Sequence, residues 1–450
     1  MTYRKFIIEK KYYQELSISE RQILKILEEV VKEVGEIYRL QLKDGFYPKD
    51  ITKQELEKAN KNNPEILSPF TYVKRENGQL KAIPYHKLYE AKLKPLASKI
   101  EKAAAFCENR FFKNYLLARA KSLLDGSYRE ADITWLDVKN SKIDFSIGPF
   151  ERYLDKILFI KRVFQGHVGI INKNLTIQAE KIKETLYSSA KLSYEKYHST
   201  DIPKKGVNVF VEQTPVTAGY MSDVVFSGEH FPSDLEIMQQ YGSRILIYES
   251  QLKYKFDKLH YPIFKILFER RFASKYSKEL LYKATGWTIL LYELGRQLHK
   301  FSSARERLKE LYGPIDEANG FASGIQHAKH LVVKGLILQD ELEAIMIIQI
   351  TWMFVDWLLN LKQQKMFNYV AGDTILLNAY LKSGALREYG GISWPNFSKI
   401  FFEIEAVADQ LVYLLQKGSF KEAERFIKKH TTLENFESLG RNLKLITPNI

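Results

Sequence analysis

Cysteine is almost absent from the sequence, and so are long apolar runs. Cys107 is the single cysteine in 450 residues, which excludes an internal disulfide and predicts a reducing compartment. The opening segment, MTYRKFIIEKKYYQE, lacks the apolar core of a secretory signal. The most apolar stretch, residues 344–355, is interrupted by Gln349 and Thr351 and is too short to span a bilayer. We therefore expect a cytoplasmic protein with no membrane partner.

Positive charge is in excess, with 68 lysine and arginine residues against 54 acidic ones and a net charge of +14. The lysines are spread along the chain, often beside glutamates, and no helix-turn-helix, zinc-finger or aromatic-basic motif is present. This distribution favours a generally basic surface and no specific nucleic-acid partner. The hydrophobic content of 45% predicts a large core, and the length allows one to three domains. We expect a monomer.

Helix-start patterns and turn residues predict an α+β chain that is mostly helical. Capping boxes at Ser17–Glu20 and Thr52–Glu55 predict two helices near the beginning. Asn77-Gly78 between two alternating segments predicts a β-hairpin. Further strands are predicted at Ile133–Val138, Ile143–Ile147, Val207–Glu212 and Arg244–Glu249. After Leu252 nearly all of the chain has a helical pattern.

One predicted helix, Trp287–Phe301, combines an apolar face with a polar one. At 100° per residue, Tyr292, Arg296 and His299 fall within about 60° of each other, with Glu293 beside them. The opposite face is apolar and contains Trp287, Leu290, Leu291, Leu294, Leu298 and Phe301. The polar side chains on this helix are therefore candidates for function. Ordinary hydrogen-bonded core residues would have the same spacing.

A second helix follows it closely. Gly313-Pro314 suits a first helical turn, and Gly335 suits a helix end. Asp316 and Glu317 lie in the first turn, where the helix dipole favours acids. The two helices together bring several ionisable residues into one stretch of sequence.

The residues Tyr292-Glu293-Leu294-Gly295-Arg296 occupy the spacing of the zinc-peptidase motif H-E-x-x-H. In that motif two histidines one helical turn apart hold the metal, and the glutamate is the general base. Here Tyr292 and Arg296 replace both histidines, while Glu293 is retained. The pattern predicts a zinc-peptidase helix without its histidine ligands.

With this motif, the chain resembles the dipeptidyl peptidase III family, the M49 metallopeptidases, and in particular its shorter bacterial members. In that family a helix reading E-E-x-x-A-D or E-E-x-x-A-E follows, and its second glutamate is the third zinc ligand. Residues Asp316 to Phe321 read DEANGF, so the resemblance places Glu317 at the third ligand position. The family's cofactor is zinc, but this chain keeps one mapped ligand, so we expect no metal and no other cofactor.

Two further segments resemble the peptide-binding parts of the family. Ile147 to Tyr153 match I-G-x-x-E-x-Y, which implies that Glu151 and Tyr153 hold the amino terminus of a bound peptide. A carboxylate beside a hydroxyl suits an ammonium group, although ordinary residues after a strand would look the same. At the family's N-x-P-N loop the matching positions are His230 and Ser233, so both asparagines are replaced.

The resemblance implies two lobes around a wide cleft. The helical lobe carries the former zinc site, and the mixed lobe contains a small barrel-like sheet. Residues 1–170 and 206–260 are expected to form the mixed lobe. The helical lobe is expected to comprise residues 171–205 and 261–400, followed by C-terminal helices in 401–450.

Three functions follow from this comparison. A pseudopeptidase would bind a peptide, a small molecule or a protein partner in the cleft without cutting it. A repurposed, metal-independent enzyme would use Tyr292, Glu293, Arg296 and His299 on a small molecule. A residual metallopeptidase would hold zinc with non-standard ligands. The first is favoured because arginine cannot ligate zinc.

Loss of the metal would leave acids in a partly buried site, and an uncompensated buried carboxylate is costly. We therefore expect Arg296 to fill the vacated position and pair with Glu317, while Tyr292 donates a hydrogen bond to a neighbouring carboxylate. In the alternative, Arg296 points into the open cleft and binds an anionic ligand.

Overall fold

The computed structural model describes residues 2–197, 206–299, 301, 303–363, 367–388, 392–393 and 395–431. These residues are divided between two compact units. The first is drawn from Met1–Lys173, Lys204–Phe226 and His230–Gln251, and the second from Asn174–Pro203, Ser227–Glu229 and Leu252–Ile450. Residues 198–205 of the predicted segment 171–205, and residues 432–450 of the predicted C-terminal segment, lie outside the described residues.

Most of the strands belong to the first unit, and two short ones belong to the second. In and near the first unit they are β1 (Tyr3–Lys5), β2 (Thr71–Glu76), β3 (Gln79–Pro84), β4 (Ile143–Glu151), β5 (Val163–Ile171), β6 (Val207–Gly219), β7 (Gly228–Phe231) and β8 (Ser243–Tyr248). In the second unit they are β9 (Arg387–Glu388) and β10 (Ile392–Ser393). Strands β2 and β3 form the hairpin predicted from Asn77-Gly78.

The main sheet has the order β4-β5-β6-β8-β7, with β1 paired to β6, and it curls into a half-barrel. Strands β4, β5 and β6 are antiparallel neighbours, whereas β6 and β8 run parallel. Strands β4 and β5 are buried along nearly their whole length. The predicted strands at Ile143–Ile147, Val207–Glu212 and Arg244–Glu249 are confirmed within this sheet.

The helices up to residue 255 are α1 (Lys10–Gln14), α2 (Ile18–Asp44), α3 (Lys53–Asn60), α4 (Tyr85–Leu88), α5 (Glu90–Ala105), α6 (Arg110–Asp125), α7 (Tyr128–Leu136), α8 (Lys173–Tyr197), α9 (Tyr220–Val224), α10 (Leu235–Tyr241) and α11 (Glu249–Lys255). Helix α2 begins at the predicted capping box, where Ser17 and Glu20 exchange hydrogen bonds. Its apolar side chains join those of α5, α6 and the sheet in one core. Each fully buried Leu, Ile or Val there contributes about 1.5–3 kcal/mol.

The predicted strand at Ile133–Val138 is wrong, because most of this segment belongs to helix α7. Contacts with neighbouring residues favour the helix over a strand. Ala131 and Trp135, one helical turn apart, are both buried. Asp132 pairs with Arg119 of α6 at 2.6 Å. Tertiary contacts thus override the β-branched, alternating character of the segment.

The helices of the second unit beyond α11 are α12 (Tyr261–Leu267), α13 (Arg270–Ala273), α14 (Lys278–Leu298), α15 (Ala304–Leu308), α16 (Tyr312–Val333), α17 (Gln339–Gln363), α18 (Phe367–Lys382), α19 (Phe397–Gln416) and α20 (Phe420–His430). A π-helical turn at Phe256–His260 precedes α12. Helix α16 begins one residue before the predicted Gly313 and is followed by Gly335 at φ 68°, which confirms its predicted end.

Helix α17 contains the most apolar stretch, and its residues 344–355 are buried. The polar residues Gln349 and Thr351 within it are also buried. No described helix is both long enough and apolar enough to cross a membrane.

Candidate functional site

Helices α14 and α16 approach so closely that their contact requires glycine. A Cβ added at Gly295 would lie 2.1 Å from the carbonyl oxygen of Gly320, and one at Gly324 would lie 2.3 Å from a backbone oxygen of α14. A Cβ at Gly320 would lie 2.6 Å from Cγ of Arg296. The polar side chains of α14 therefore lie directly against α16.

The predicted division of α14 into an apolar and a polar face is only partly right. Tyr292 and Glu293 are buried like the apolar residues opposite them. The reason is that α14 has neighbours on more than one side. Gly295 contacts α16, while the Thr288 hydroxyl lies 3.4 Å from a backbone oxygen of α17. The candidate site is consequently a buried polar cluster inside the second unit.

Arg296 binds chiefly to Asp316, which corrects the expected pairing with Glu317. Its Nε and Nη2 atoms donate to the same oxygen of Asp316, at 3.1 and 2.6 Å. Nη2 is 3.8 Å from Glu317, which makes that contact a weaker ion pair. Asp316 is almost fully buried, so the guanidinium supplies the positive charge that its carboxylate needs.

The hydroxyl of Tyr292 donates a hydrogen bond to Glu317. The carboxylate of Glu317 thus accepts a hydrogen bond from Tyr292, whereas the carboxylate of Asp316 pairs with Arg296. The ring of Tyr292 also packs on Phe321, with centroids 4.6 Å apart. Tyr292 and Arg296, which replace the two histidines of the motif, thus hold the two neighbouring acids of α16.

Burial dominates the electrostatics of this cluster. It raises the pKa of Glu317 to about 7, although the charge of Arg296 and the Tyr292 hydrogen bond oppose the shift. Burial likewise raises the pKa of the Tyr292 hydroxyl well above its usual range, which keeps it a proton donor. Burial opposes the charge of Arg296, but Glu317, Tyr292 and Asp316 outweigh it and hold its pKa well above the ordinary value.

Two further buried acids belong to the same region and were missed in the sequence. Burial raises the pKa of Asp356 in α17 to about 7, and Lys255 opposes this shift. Burial also raises the pKa of Asp373 in α18, and the charges of Asp356 and Glu317 add to it. A Cβ added at Gly372 would lie 2.8 Å from Cβ of Glu317, so α18 contacts α16 here. Single acids within otherwise apolar helices are the sequence signal that could have revealed them.

His299 lies just beyond the end of the helix that carries Tyr292 and Arg296. Helix α14 ends at Leu298, and His299 leaves the helical conformation with φ −132°. Its ring lies 6.4 Å from that of His327. Burial, with a smaller effect from His327, lowers the pKa of His299 to about 3, so it is neutral.

The donor set on α14 and α16 does not fit a catalytic zinc ion, which takes three protein ligands and a water. Among the described residues of these helices, no three histidine, cysteine or acidic side chains place ligand atoms within reach of one ion. The guanidinium of Arg296 also puts a fixed positive charge beside the carboxylate that would have to bind the metal.

The residues expected to hold a peptide amino terminus lie in the first unit. Glu151 ends β4 beyond a register shift, and it is half-buried. Tyr153 is 40% exposed, and its ring stacks on Tyr220 at 6.1 Å. Glu151 and Tyr153 both raise the pKa of Tyr220, after burial, which places the three side chains near one another.

Of the two positions matching the family's asparagines, one lies in β7 and the other just after it. His230 is in β7, with Nε2 2.7 Å from the hydroxyl of Ser243. Ser233 is exposed. The rings of Phe150 and Phe231 are 5.3 Å apart, which brings β7 beside the end of β4. The four candidate residues of the first unit therefore lie on adjacent segments.

Sequence comparison relates the chain to part of a longer protein. No protein-family model matches the chain. It is 24% identical over 406 residues to Nudix hydrolase 3 of Arabidopsis thaliana, covering 86% of this chain and 50% of that protein. The chain thus spans about half the length of this relative.

Two solved structures match nearly the whole chain. Dipeptidyl peptidase III from Caldithrix abyssi aligns with a TM-score of 0.86 and 21% identity, covering 98% of this chain and 95% of that one. Dipeptidyl peptidase III from Corallococcus sp. strain EGB aligns with a TM-score of 0.81 and 19% identity, covering 98% and 92%. The chain therefore has the fold of dipeptidyl peptidase III, the M49 metallopeptidases.

Proposed function

We propose that the protein is a pseudopeptidase, which binds a peptide in the interlobe cleft implied by the resemblance and does not hydrolyse it with zinc. The observation that carries this proposal is the pairing of Arg296 with Asp316 and of Tyr292 with Glu317. Both residues stand at mapped histidine positions, and both are engaged with the acids of α16.

The chemistry of these contacts explains why zinc hydrolysis is disfavoured. Arginine stays protonated and cannot donate a lone pair to a metal. A zinc ion at Glu317 would face the guanidinium of Arg296 and would displace the Tyr292 hydroxyl from its acceptor. Without a metal to activate water, Glu293 has no nucleophile to deprotonate.

The same contacts weaken the two alternatives. Arg296 is held by Asp316, which leaves it poorly placed to bind an anionic substrate. His299 is neutral and its ring lies near that of His327, which gives a repurposed enzyme little support from this residue. A residual metallopeptidase would need ligands that α14 and α16 do not offer within their described residues.

Peptide binding is supported by Glu151, Tyr153 and Tyr220. The ring of Tyr153 stacks on that of Tyr220, and Glu151 raises the pKa of Tyr220, so one region of the first unit contains a carboxylate and two tyrosines suited to an ammonium group. The exposed fraction of Tyr153 leaves its side chain accessible to a ligand. We infer that a free peptide amino terminus binds here.

An activity assay tests the first half of the proposal. Purified protein, with zinc added, is expected to release no arylamine from dipeptidyl-arylamide substrates. Chelator-sensitive release that Glu317→Gln abolishes would refute the pseudopeptidase assignment. The variant is essential, because it separates metal bound at α16 from metal bound elsewhere.

Binding measurements test the second half. A library of short peptides with free amino termini is compared with the same peptides acetylated, using fluorescence polarisation. Binding should require the free amino terminus and should weaken at least about tenfold in Glu151→Gln, since a charged contact is worth about 1.5–3 kcal/mol. Exposed Glu108→Gln is the control. Equal binding of both peptide sets would refute the ammonium site.

Mass spectrometry of ligands carried through purification adds an independent test. Peptides enriched over a mock purification support the proposal. A single small organic molecule in stoichiometric amount, with no peptide, would favour the repurposed enzyme.

A further inference from the structure

Three side chains from neighbouring strands meet inside the sheet of the first unit. Asp144 on β4, His167 on β5 and Glu212 on β6 are 2%, 2% and 0% exposed. His167 Nε2 lies 3.4 Å from Asp144 Oδ2 and 3.1 Å from Glu212 Oε1. One ligand atom of each lies within 4.8 Å of the other two, and no other such group of three occurs among the described residues.

These distances match the ligand spacing around a small metal ion. Bonds of about 2.0–2.2 Å at a tetrahedral centre place neighbouring ligand atoms about 3.3–3.6 Å apart. The contacts of His167 with Asp144 and Glu212 are close to that spacing. A modest spreading of the three side chains would therefore admit an ion.

The buried carboxylate of Glu212 depends on His167 for its positive partner. Neither of its carboxylate oxygens accepts a hydrogen bond of normal geometry from a described residue, although the side chain is fully buried. His167 is close enough to pair with one oxygen, but its ring N–H cannot be aimed at both acids at once. An ion bound to all three would take the place of the imidazolium proton and would neutralise both carboxylates, whose uncompensated burial would cost several kcal/mol.

Asp144 is already oriented as a ligand would be. The indole N–H of Trp135 donates to its Oδ1 at 2.9 Å, which leaves Oδ2 toward His167. Such outer contacts fix the direction of metal-binding carboxylates in known sites. Arg244 Nη1 is 3.9 Å from the same Oδ1, so its charge faces the outer side of Asp144.

Gly169 makes the space that Glu212 occupies. It is the partner of Asp144 across β4 and β5, and a Cβ there would lie 2.3 Å from a carboxylate oxygen of Glu212. The carboxylate can enter the interior because position 169 has no side chain. The third ligand thus depends on a specific glycine.

We infer that Asp144, His167 and Glu212 bind one divalent transition-metal ion, Zn²⁺ or Mn²⁺, that joins strands β4, β5 and β6. One imidazole and two carboxylates suit these ions, whereas Ca²⁺ and Mg²⁺ prefer oxygen ligands in larger number. The ion takes the neutral imidazole, and the proton of an imidazolium leaves to solvent. The site lies apart from the zinc-peptidase motif on α14, and it gives the sheet a metal crosslink.

Metal content of the whole chain tests this inference. The protein is expressed in medium supplemented with Zn²⁺ or Mn²⁺, purified without chelator, and analysed by inductively coupled plasma mass spectrometry. Wild type should carry about one ion per chain and should melt at a higher temperature than chelator-treated protein, since an ion that binds only the folded state stabilises it. Wild type with no bound Zn²⁺ or Mn²⁺ from either medium overturns the inference.

Matched variants assign the ion to the sheet. Glu212→Gln keeps the shape of the side chain and should lose most of the metal. Glu249→Gln makes the same change at a half-buried glutamate in the same region and should retain it. Glu317→Gln should also retain it. Metal lost from Glu317→Gln but kept in Glu212→Gln would overturn the assignment.

X-ray absorption of zinc-loaded wild type gives a test that does not depend on variant folding. The expected spectrum contains one imidazole nitrogen and oxygen ligands. A shell with sulfur or with two or more imidazoles contradicts the proposed ligands. Circular dichroism and thermal unfolding of each variant establish that a lost ion reflects a lost ligand.

Discussion

The helix pair of the second unit and the sheet of the first unit both bury carboxylates, but they neutralise them differently. On α14 and α16 the cation is Arg296, whose charge is permanent and covalently attached. In the sheet the cation beside Asp144 and Glu212 is the imidazole of His167. Burial would lower the pKa of His167, but Glu212 and Asp144 raise it to about 10.

This difference decides which cluster can exchange its cation. A guanidinium cannot lose its charge at accessible pH, so Arg296 cannot become a metal ligand. An imidazolium can release its proton and turn the same nitrogen into a metal ligand. In our proposal the helices that carry the zinc-peptidase motif bind no zinc, whereas the sheet cluster, which no sequence motif marks, binds an ion.

The largest expected effect is the loss of the fixed cation. Arg296→Ala leaves Asp316 buried without a counter-charge, so the free energy of unfolding should fall by about 3 kcal/mol in urea titrations. This is the lower end of the usual range, because the Arg296 side chain is 28% exposed. Arg39→Ala, at an exposed ion pair, should change stability by less than about 0.5 kcal/mol. Equal effects of the two substitutions would show that Arg296 is not part of a buried pair.

The second expected effect is a change in pH dependence. Because the pKa of Glu317 is raised to about 7, its stabilising contribution is present below about pH 4.5 and is lost as pH rises through 7. Glu317→Gln should remove this decline, so its stability relative to wild type should increase by about 2 kcal/mol between pH 4.5 and 7.5. The free energy of unfolding of both proteins, measured across this pH range, tests whether the stability of wild type falls as pH rises. A constant difference between the two proteins contradicts it, and exposed Glu29→Gln serves as the control.

A smaller effect is expected from the neutral partner of Glu317. Tyr292→Phe removes one hydroxyl and should lower the free energy of unfolding by about 1–2 kcal/mol, because a buried acceptor loses its donor. Tyr413→Phe removes a comparable hydrogen bond to Glu422 at the surface and should have little effect. A larger loss at Tyr413 than at Tyr292 would contradict the burial argument.

The smallest expected effect is on peptidase activity when the two histidines of the motif are restored. The double substitution Tyr292→His with Arg296→His, together with Glu317, rebuilds a three-ligand set and should bind zinc. Peptidase activity should remain near background, because His230 and Ser233 still differ from the family's asparagines. Zinc binding by calorimetry and arylamide hydrolysis measure the two outcomes. Zinc uptake no better than that of wild type would show that the helix pair cannot be converted by two residues.

Much of the fold could be predicted because its signals are local. The Ser17–Glu20 capping box, the Asn77-Gly78 turn and Gly335 all mark element ends through their own backbone preferences. The strand prediction for residues 133–138 was wrong because tertiary contacts decide the conformation of this segment. These contacts are the burial of Trp135 and the pairing of Asp132 with Arg119.

The contacts of the candidate site were less predictable because they too depend on tertiary structure. The choice of Arg296 between Asp316 and Glu317 depends on where a long side chain ends, and helical periodicity does not specify that. The cluster of Asp144, His167 and Glu212 depends on the register of three strands, because each residue comes from a different strand. No motif spacing could reveal it, since each strand supplies one ligand.

The glycine contact between α14 and α16 has a consequence for how this protein can change over evolutionary time. Gly295 and Gly324 set the distance between the helices by contact with the backbone of the other helix, whereas Gly320 makes room for the side chains at 292 and 296. Substitutions at those two positions can therefore accumulate or revert without moving either helix. A side chain at Gly295 or Gly324 would push the helices apart, so a mutation there should disturb the structure more than an exchange of the side chains at 292 and 296.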